Sequence, residues 1–287
     1  MKTTTLNNGV EMPLLGYGVY QVTPAECERC VLDAIGAGYR LIDTAQAYYN
    51  EEGVGAALAT CGVPRSELFL TTKVWITNAG EEKAAASIDE SLRKLRTDYI
   101  DLLLVHQPFA DYYGTYRAME QAVKSGKVRA IGVSNFYPDR FVDLAENVEI
   151  KPAVNQLKAN VFSQQRDSEA EMNPYGTRIM AWAPLTQASE ALFHNPVIKA
   201  IAEHHGKTAA QVALRYLVQR HIIAIPKSAH ADRMKQNLDI FDFALTDSEM
   251  QSILPLDQTP DFQWSHRNPE MVRFLLNYDN RFNPENK

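Results

Sequence analysis

Three residues whose side chains could take part in acid–base chemistry each follow a short apolar run in the sequence. Asp43, Lys73 and His106 come after three successive runs that are rich in Val, Ile and Leu. Taken singly, each has an ordinary explanation, as a helix cap, a solvated charge or a satisfied core histidine. If the three runs are neighbouring strands, the side chains converge on one small volume, where an unpaired charge is costly. The arrangement therefore predicts that Asp43 pairs with Lys73, with an imidazole close by.

The apolar runs predict a parallel sheet that is buried on both faces. After the first, most runs start 25 to 32 residues apart, the length of one strand and one helix, and the last interval is 43 residues. The runs are Leu14–Tyr20, Tyr39–Ile42, Leu68–Thr71, Ile100–Val105, Val128–Val133, Ala153–Leu157, Arg178–Trp182 and His221–Ile225. Eight strands in alternation with helices are expected.

The stretches between these runs have helical patterns. Residues 84–95 carry one amphipathic stripe, Thr115–Lys124 stops just before Gly126, and the long interval holds Pro196–His205 and Thr208–Arg220. We therefore expect an α/β protein with residues 1–287 in a single (β/α)8 TIM barrel. The segment Thr5–Pro13 is expected to form a β-hairpin that plugs its N-terminal end.

A doubly wound nucleotide-binding sheet is the competing architecture. Its phosphate-binding sequence needs a third glycine, and neither Gly16 with Gly18 nor Gly53 with Gly55 is followed by one at the required spacing. Gly53 and Gly55 are instead expected to allow close packing of a helix that begins after Asn50. The barrel is the simpler interpretation.

Active sites of such barrels form at the C-terminal ends of the strands. Polar or aromatic residues follow seven consecutive runs, where a core built for stability alone would place more aliphatic residues. They are Asp43–Tyr48, Lys73, His106, Ser134 with Asn135, Asn155 with Gln156, Trp182, and Lys227 with Ser228. The sequence therefore predicts one site at this end of the barrel.

Composition and charge exclude several classes of partner. The net charge is -6, and no basic run is dense enough to track nucleic acid or an anionic membrane. The start of the chain has no apolar signal segment, so a cytoplasmic location is expected. Cys27 and Cys30 lie on a helix that begins with a capping box at Thr23, and neither they nor the histidines show metal-ligand spacing. No metal site is expected.

Across essentially its whole length the sequence resembles the aldo-keto reductase family. It is most similar to the bacterial branch of small-carbonyl reductases, near the diketogluconate reductases. The matching motifs are Gly16–Tyr20, Asp43–Tyr48 with Asn50 and Glu51, Thr72–Trp75, Leu104–Pro108, Gly132–Phe136, Asn155 with Gln156, Ala183–Leu185 and Ile225–Ser228.

This resemblance implies that Asp43, Tyr48, Lys73 and His106 form a catalytic tetrad acting with a reduced nicotinamide. Carbonyl reduction needs a hydride at carbon and a proton at the developing alkoxide. Tyr48 is the expected acid. Its ordinary pKa of about 10 is high for this task, so Lys73, held by Asp43, is expected to lower the pKa of the phenol. A neutral His106 would orient the carbonyl oxygen.

The resemblance also implies a cofactor site. Ser134, Asn135 and Gln156 match the residues that bind the nicotinamide carboxamide, and Trp182 stands where the family stacks an aromatic ring, usually tyrosine, on the nicotinamide. The adenosine-phosphate pocket is matched by Lys227, Ser228, Arg233, Gln236 and Asn237. Because two cations and a hydroxyl suit a ribose 2′-phosphate, NADPH is expected over NADH. Alternatively, Arg233 and Lys235 merely solvate a surface helix.

Tyr20, Tyr49, Trp75 and Gln107 are expected to line the substrate pocket. Gln107 stands where some mammalian members carry tryptophan, which suggests a less apolar pocket. Leu157–Asn160 replace the acidic residue and histidine that often follow the family's Asn-Gln pair. The tail 261–276, which includes Trp264 and His266, either forms a substrate loop over the mouth or packs on the barrel.

These features predict a cytoplasmic reductase that uses NADPH on small aldehydes or ketones, such as α-dicarbonyls and keto sugars. The resemblance implies a monomer, the common state in the family. The alternative is a cofactor-binding redox sensor or partner protein with little turnover, and the intact tetrad argues against it. A hydrolase or isomerase barrel would need paired carboxylates or a metal site.

Overall fold

The fold is built on short parallel strands in a computed structural model that describes residues 2–258, 265–278 and 283. Within these residues the strands are β1 (Thr3–Thr5), β2 (Glu11–Pro13), β3 (Tyr17–Gly18), β4 (Leu41–Asp43), β5 (Phe69–Val74), β6 (Ile100–Val105), β7 (Val128–Ser134), β8 (Val154–Lys158), β9 (Arg178–Trp182) and β10 (Ile223–Ala224). β1 and β2 pair antiparallel, and β3 to β10 form one sheet of eight strands in chain order.

Backbone hydrogen bonds close this sheet on itself. The amide of Gly16 donates to the carbonyl of Ala224 at 2.8 Å, and the amide of Ala224 donates to the carbonyl of Leu14 at 2.9 Å. The last strand therefore lies beside the segment that leads into the first. The expected (β/α)8 barrel is confirmed.

Helices follow the strands, and local sequence signals set their ends. Within the described residues they are α1 (Pro24–Ala37), α2 (Glu51–Thr60), α3 (Glu81–Leu95), α4 (Tyr112–Lys124), α5 (Pro138–Asn147), α6 (Arg166–Met172), α7 (Glu190–His194), α8 (Pro196–His205), α9 (Ala209–Gln219), α10 (Ala231–Leu238), α11 (Asp247–Ile253) and α12 (Pro269–Leu276). Thr208 caps α9 through a capping box with Gln211. Among the described helices, none combines the length and the apolar character needed to cross a membrane.

The N-terminal hairpin closes the end of the barrel at which the strands begin. The side chain of Asn7 donates to the carbonyls of Pro152 and Tyr175 at 3.1 and 3.2 Å, and that of Asn8 donates to the carbonyl of Arg129 at 2.9 Å. These carbonyls precede or begin β7, β8 and β9. The predicted hairpin plug is confirmed, with its first strand starting at Thr3 rather than Thr5.

A buried ionic cluster lies at the same end. Asp101, at the start of β6, is fully buried and accepts hydrogen bonds from Arg65 at 2.7 Å, from Arg129 at 2.7 Å and from the amide of Leu70 at 2.9 Å. Both carboxylate oxygens therefore have partners, which explains how a charged residue can interrupt the apolar run of β6.

Close packing of α2 depends on its glycines. A Cβ on Gly55 would lie 2.2 Å from the carbonyl oxygen of Lys94, and one on Gly53 would lie 2.7 Å from the Cβ of Cys27. The expected close approach is confirmed.

Cys27 and Cys30 are buried on the same face of α1, and burial raises the pKa of the Cys27 thiol to about 12.

Candidate active site

A buried ion pair lies at the C-terminal ends of β4 and β5. The Nζ atom of Lys73 donates to Oδ1 of Asp43 at 2.7 Å and to the carbonyl of Thr44 at 2.8 Å. Lys73 is 0% exposed and Asp43 is 2% exposed. The predicted pairing of these two residues is present, because β4 and β5 are adjacent parallel strands.

Burial and mutual contact shift the pKa values of Asp43 and Lys73 in opposite directions. Burial raises the pKa of Asp43 and lowers the pKa of Lys73, since a low-dielectric surrounding disfavours both charges. Their mutual contact opposes this, as does the amide of Gln156, which donates to Oδ2 of Asp43 at 2.8 Å. Gln156 thus occupies the carboxylate oxygen that Lys73 leaves free.

Tyr48 lies beside the ion pair, in a short 3-10 turn, Gln46–Tyr48, that follows β4. Its ring centroid is 5.1 Å from Nζ of Lys73 and 5.7 Å from the ring centroid of His106. The phenol ring therefore has both an ammonium and an imidazole nearby, and Tyr48 is 9% exposed.

The pKa of Tyr48 is raised well above its ordinary value, so the depression expected from the sequence is wrong. Burial is the largest cause, and the carboxylate of Asp43 adds to it. The charge of Lys73 is already compensated by Asp43 at 2.7 Å, which limits what the ammonium can offer the phenol. Tyr48 therefore keeps its proton near neutral pH, and the raised pKa by itself makes the phenol a weaker acid, not a stronger one.

His106 follows β6 and is buried, which favours the uncharged form of its ring. Burial lowers its pKa well below the ordinary value, and the nearby charge of Lys73 lowers it further. Within the part of the chain that the structure describes, its Nδ1 atom is buried without a hydrogen-bond partner. The ring therefore keeps hydrogen-bonding capacity beside Tyr48.

The residues expected to bind the nicotinamide lie together on β7, β8 and β9. The indole Nε1 of Trp182 donates to Oδ1 of Asn135 at 2.9 Å. The amide of Asn135 donates to the carbonyl of His106 at 3.2 Å and to Oγ of Ser134 at 3.0 Å, and that hydroxyl donates to the carbonyl of Gln156 at 3.0 Å. These hydrogen bonds link the indole of Trp182, through Asn135, to the backbone carbonyl of His106.

A cationic patch lies around the start of α10. Lys227 and Arg233 are exposed, and neither makes an ion pair with any residue that the structure describes. Oγ of the buried Ser228 accepts from the amide of His230 at 3.1 Å and so turns the chain into the helix. Asn237 is buried and Gln236 is exposed. Two uncompensated cations at a helix N-terminus fit an anionic group.

Comparison with known proteins identifies the family. Residues 14–257 match the aldo/keto reductase family. The chain belongs to this family. It is 44% identical over 258 residues to glyoxal reductase from Bacillus subtilis, covering 89% of this chain and 93% of the relative. It is 38% identical over 256 residues to methylglyoxal reductase DkgA from Escherichia coli, covering 88% and 92%.

A solved structure of a family member in complex with NADP has the same fold. The Bombyx mori aldo-keto reductase superposes on this reductase with a TM-score of 0.85 and 35% sequence identity, covering 89% of this chain and 92% of the other. The chain is therefore an aldo/keto reductase in both sequence and fold.

Three of the four predicted substrate residues border the four residues of the predicted tetrad. The ring of Tyr20 is 5.1 Å from that of Tyr48, and the ring of Trp75 is 4.9 Å from that of His106. Gln107 adjoins His106 in the chain and is buried, with its Oε1 atom unpartnered among the described residues. Tyr49 is 38% exposed and, together with Trp75, lines a cavity of about 120 Å³ whose other walls include α2 and α3.

The described part of the C-terminal tail contacts the site. Nδ1 of His266 donates to the carbonyl of Asn135 at 3.1 Å, and its ring packs on those of Phe109 and Tyr137. Burial lowers the pKa of His266 to about 4. The ring of Tyr278 lies 6.1 Å from that of Trp75. These contacts favour the tail lying over the mouth, while 261–264 lie outside the described residues.

Sequence reasoning assigned no role to Gln46, which fixes the turn that carries Tyr48. Its Oε1 atom accepts from the amide of Trp75 and from the side chain of Asn78, both at 2.9 Å, and its Nε2 atom donates to Ser91 at 3.1 Å. Gln46 therefore ties the loop after β5 to the turn after β4. Its position inside the Asp43–Tyr48 motif was the only signal for it.

Proposed function

We propose that this aldo/keto reductase uses NADPH to reduce small aldehydes and ketones, α-dicarbonyls foremost, to alcohols. The observation that carries the proposal is a buried phenol, Tyr48, whose ring lies 5.1 Å from Nζ of Lys73, the partner of Asp43, and 5.7 Å from the ring of His106. Glyoxal and methylglyoxal are the substrates in the names of two relatives, and the polar Gln107 beside His106 is compatible with a second carbonyl oxygen.

The proton is delivered by Tyr48. When bound, NADPH supplies the hydride that the carbonyl carbon receives. As the new C–H bond forms, the electron pair of the C=O π bond moves onto oxygen, and that oxygen takes the proton of the Tyr48 hydroxyl. His106 donates a hydrogen bond to the same oxygen and orients it. The product is an alcohol.

Lys73 acts on this step because the phenol becomes an anion only as its proton leaves. The electrostatic attraction between the ammonium and a neutral phenol is weak, and it becomes much stronger as a phenolate develops in a buried site. Asp43 holds the ammonium at 2.7 Å and keeps it in place. The pair therefore stabilises the transition state more than the ground state.

The cofactor site is assigned by side-chain chemistry. Ser134, Asn135 and Gln156 offer amide and hydroxyl groups to the nicotinamide carboxamide, and the indole of Trp182, fixed by Asn135, offers a face for stacking. The 2′-phosphate of the adenosine ribose is assigned to the patch formed by Lys227, Ser228, Arg233, Gln236 and Asn237. The uncompensated cations of this patch support NADPH over NADH.

A double substitution tests the cofactor assignment. Lys227→Ala with Arg233→Ala should raise the dissociation constant for NADPH by about 100-fold, since two charge-assisted hydrogen bonds are lost, and should change that for NADH far less. Lys235→Ala is the matched control, because Lys235 is an exposed cation on the same helix. Equal weakening of both cofactors would argue against a 2′-phosphate site.

Turnover distinguishes a reductase from a cofactor-binding sensor. The purified protein should oxidise NADPH when given methylglyoxal, glyoxal, a keto sugar or a simple aldehyde, with the dicarbonyls giving the highest kcat/KM. If fluorescence shows tight NADPH binding while none of these compounds accelerates its oxidation, the sensor alternative is favoured.

A further inference from the structure

We propose that His204, His205 and Glu249 form a binding site for a divalent transition-metal ion of the zinc type, on helices outside the barrel. His204 and His205 are the last two residues of α8, and Glu249 lies in the first turn of α11. The two helices pack against each other. This site shares no residue with the tetrad or the proposed cofactor patch.

The three side chains already point at one another. Nδ1 of His204 is 2.8 Å from Oε1 of Glu249, and Nε2 of His205 is 3.0 Å from each oxygen of the same carboxylate. One ligand atom from each residue lies within 4.8 Å of the other two. Ligands of a tetrahedral zinc ion, bound at 2.0–2.1 Å, lie about 3.4 Å apart. A small outward rotation of the exposed His204 ring would therefore make room for an ion.

The donor set selects the class of metal. Two imidazoles and one carboxylate suit Zn²⁺, Co²⁺, Ni²⁺ or Cu²⁺, whereas Mg²⁺ and Ca²⁺ prefer oxygen ligands throughout. Each imidazole must present its ligating nitrogen without a proton, so that its proton moves to the other ring nitrogen. The side chain of His204 is 67% exposed, which leaves a fourth coordination position for water.

Two of the three ligands are held in place before any ion arrives. Oε2 of Glu249 accepts from the amide of Thr246 at 2.7 Å and from its hydroxyl at 3.0 Å, in a capping box. His205 is largely buried, and its ring centroid lies 5.1 Å from that of Phe243. Ligands that are already ordered lose less conformational entropy on binding, which favours affinity.

The positive charge of Lys207, two residues after His205, is compensated by carboxylates. The nearby Lys207 is 2.9 Å from a carboxylate oxygen of Asp239 and 2.7 Å from one of Asp242, so its ammonium is compensated twice. No local sequence pattern predicts the site, because Glu249 lies 44 residues after His205 in the chain and only the fold brings them together.

Metal titration of the purified protein tests the proposal. In a Cys61→Ser background, which removes a partly exposed thiol, we expect one equivalent of Zn²⁺ to bind by calorimetry and to raise Tm, since an ion that binds only the folded state stabilises it. Co²⁺ should give visible absorption bands of four-coordinate geometry. His204→Ala, on an exposed side chain, should weaken binding by about 10-fold or more.

His194→Ala is the matched control. His194 also pairs with a glutamate, Glu190, at 2.8 Å on an exposed helix face, but as a pair rather than a trio. It should leave Zn²⁺ affinity unchanged. Tm values of the metal-free proteins show that each variant is folded. The proposal is overturned if no saturable binding occurs up to about 100 µM Zn²⁺, or if His204→Ala and His194→Ala bind Zn²⁺ as the parent does.

Discussion

Replacing Lys73 with methionine removes one charge from a fully buried ion pair while keeping a side chain of similar length. In the native protein Nζ of Lys73 contacts Asp43 at 2.7 Å and the carbonyl of Thr44 at 2.8 Å. After the substitution, Gln156, at 2.8 Å, is the one remaining side-chain partner of the Asp43 carboxylate among the residues that the structure describes. A buried carboxylate is then left without a cation.

The unpaired buried carboxylate determines how much stability the Lys73→Met variant loses. Removing one partner of a buried ion pair lowers the free energy of unfolding by about 3–5 kcal/mol, which for a chain of this size corresponds to a fall in Tm of roughly 5–10 °C. Removing both charges is close to neutral, because neither ion then has to be taken out of water. The double variant Asp43→Asn with Lys73→Met should therefore recover most of the loss.

The loss in the single variant should depend on pH. Without Lys73, burial holds the folded-state pKa of Asp43 above its unfolded value of about 3.9. A carboxyl group of this kind contributes stability that is fully present below its unfolded pKa and is lost as pH rises through its folded pKa. The destabilisation relative to wild type should thus be small near pH 4 and largest above neutrality.

Urea denaturation followed by far-UV circular dichroism at about pH 5 and about pH 8 measures these differences. Lys83→Met is the control, because Lys83 is an exposed lysine on α3. If Lys73→Met is as stable as wild type at the higher pH, the ammonium does not stabilise the buried carboxylate. If the double variant is as unstable as the single one, the loss does not come from the unpaired charge of Asp43.

Two further predictions concern the two ends of the barrel. Asp101→Asn leaves Arg65 and Arg129 without a carboxylate. It should lower the free energy of unfolding, measured by urea denaturation, by about 2–3 kcal/mol. An unchanged urea midpoint would show that the cluster adds no stability. The imidazole of His266 should titrate by NMR with a pKa of about 4. Because this pKa is lowered from 6.5, the contribution of His266 to the free energy of unfolding should be complete above pH 6.5 and lost as pH falls through 4. Stability measured in His266→Asn should lack that part of the pH dependence, and an identical pH profile in the variant would contradict it.

Sequence periodicity was sufficient for the architecture. Strands buried on both faces read as continuous apolar runs, and a helix-length interval between them leaves few topologies other than a barrel. The ends of short strands were less predictable. The His221–Ile225 run forms only Ile223–Ala224 as a strand, because few ladder hydrogen bonds are made where the barrel closes.

The location of charge was predictable, but its energetic effect was not. Adjacent parallel strands bring Asp43 to Lys73 whatever the details of packing. The pKa of Tyr48 depends on how completely water is excluded and on how far Asp43 compensates Lys73, and the sequence carries neither quantity. His266 and Glu249 act through contacts across long sequence separations, which no local pattern reveals.

Single-turnover reduction of methylglyoxal by the Tyr48→Phe variant tests the assignment of the phenol as proton donor most directly. With NADPH saturating, the rate of cofactor oxidation should fall by about 10²–10⁴-fold, because the ring is kept and only the acid is removed. NADPH affinity, measured by fluorescence, should stay within about twofold of wild type, which is well under 1 kcal/mol. Oxidation at the wild-type rate by a variant that still binds NADPH would show that the proton comes from another group.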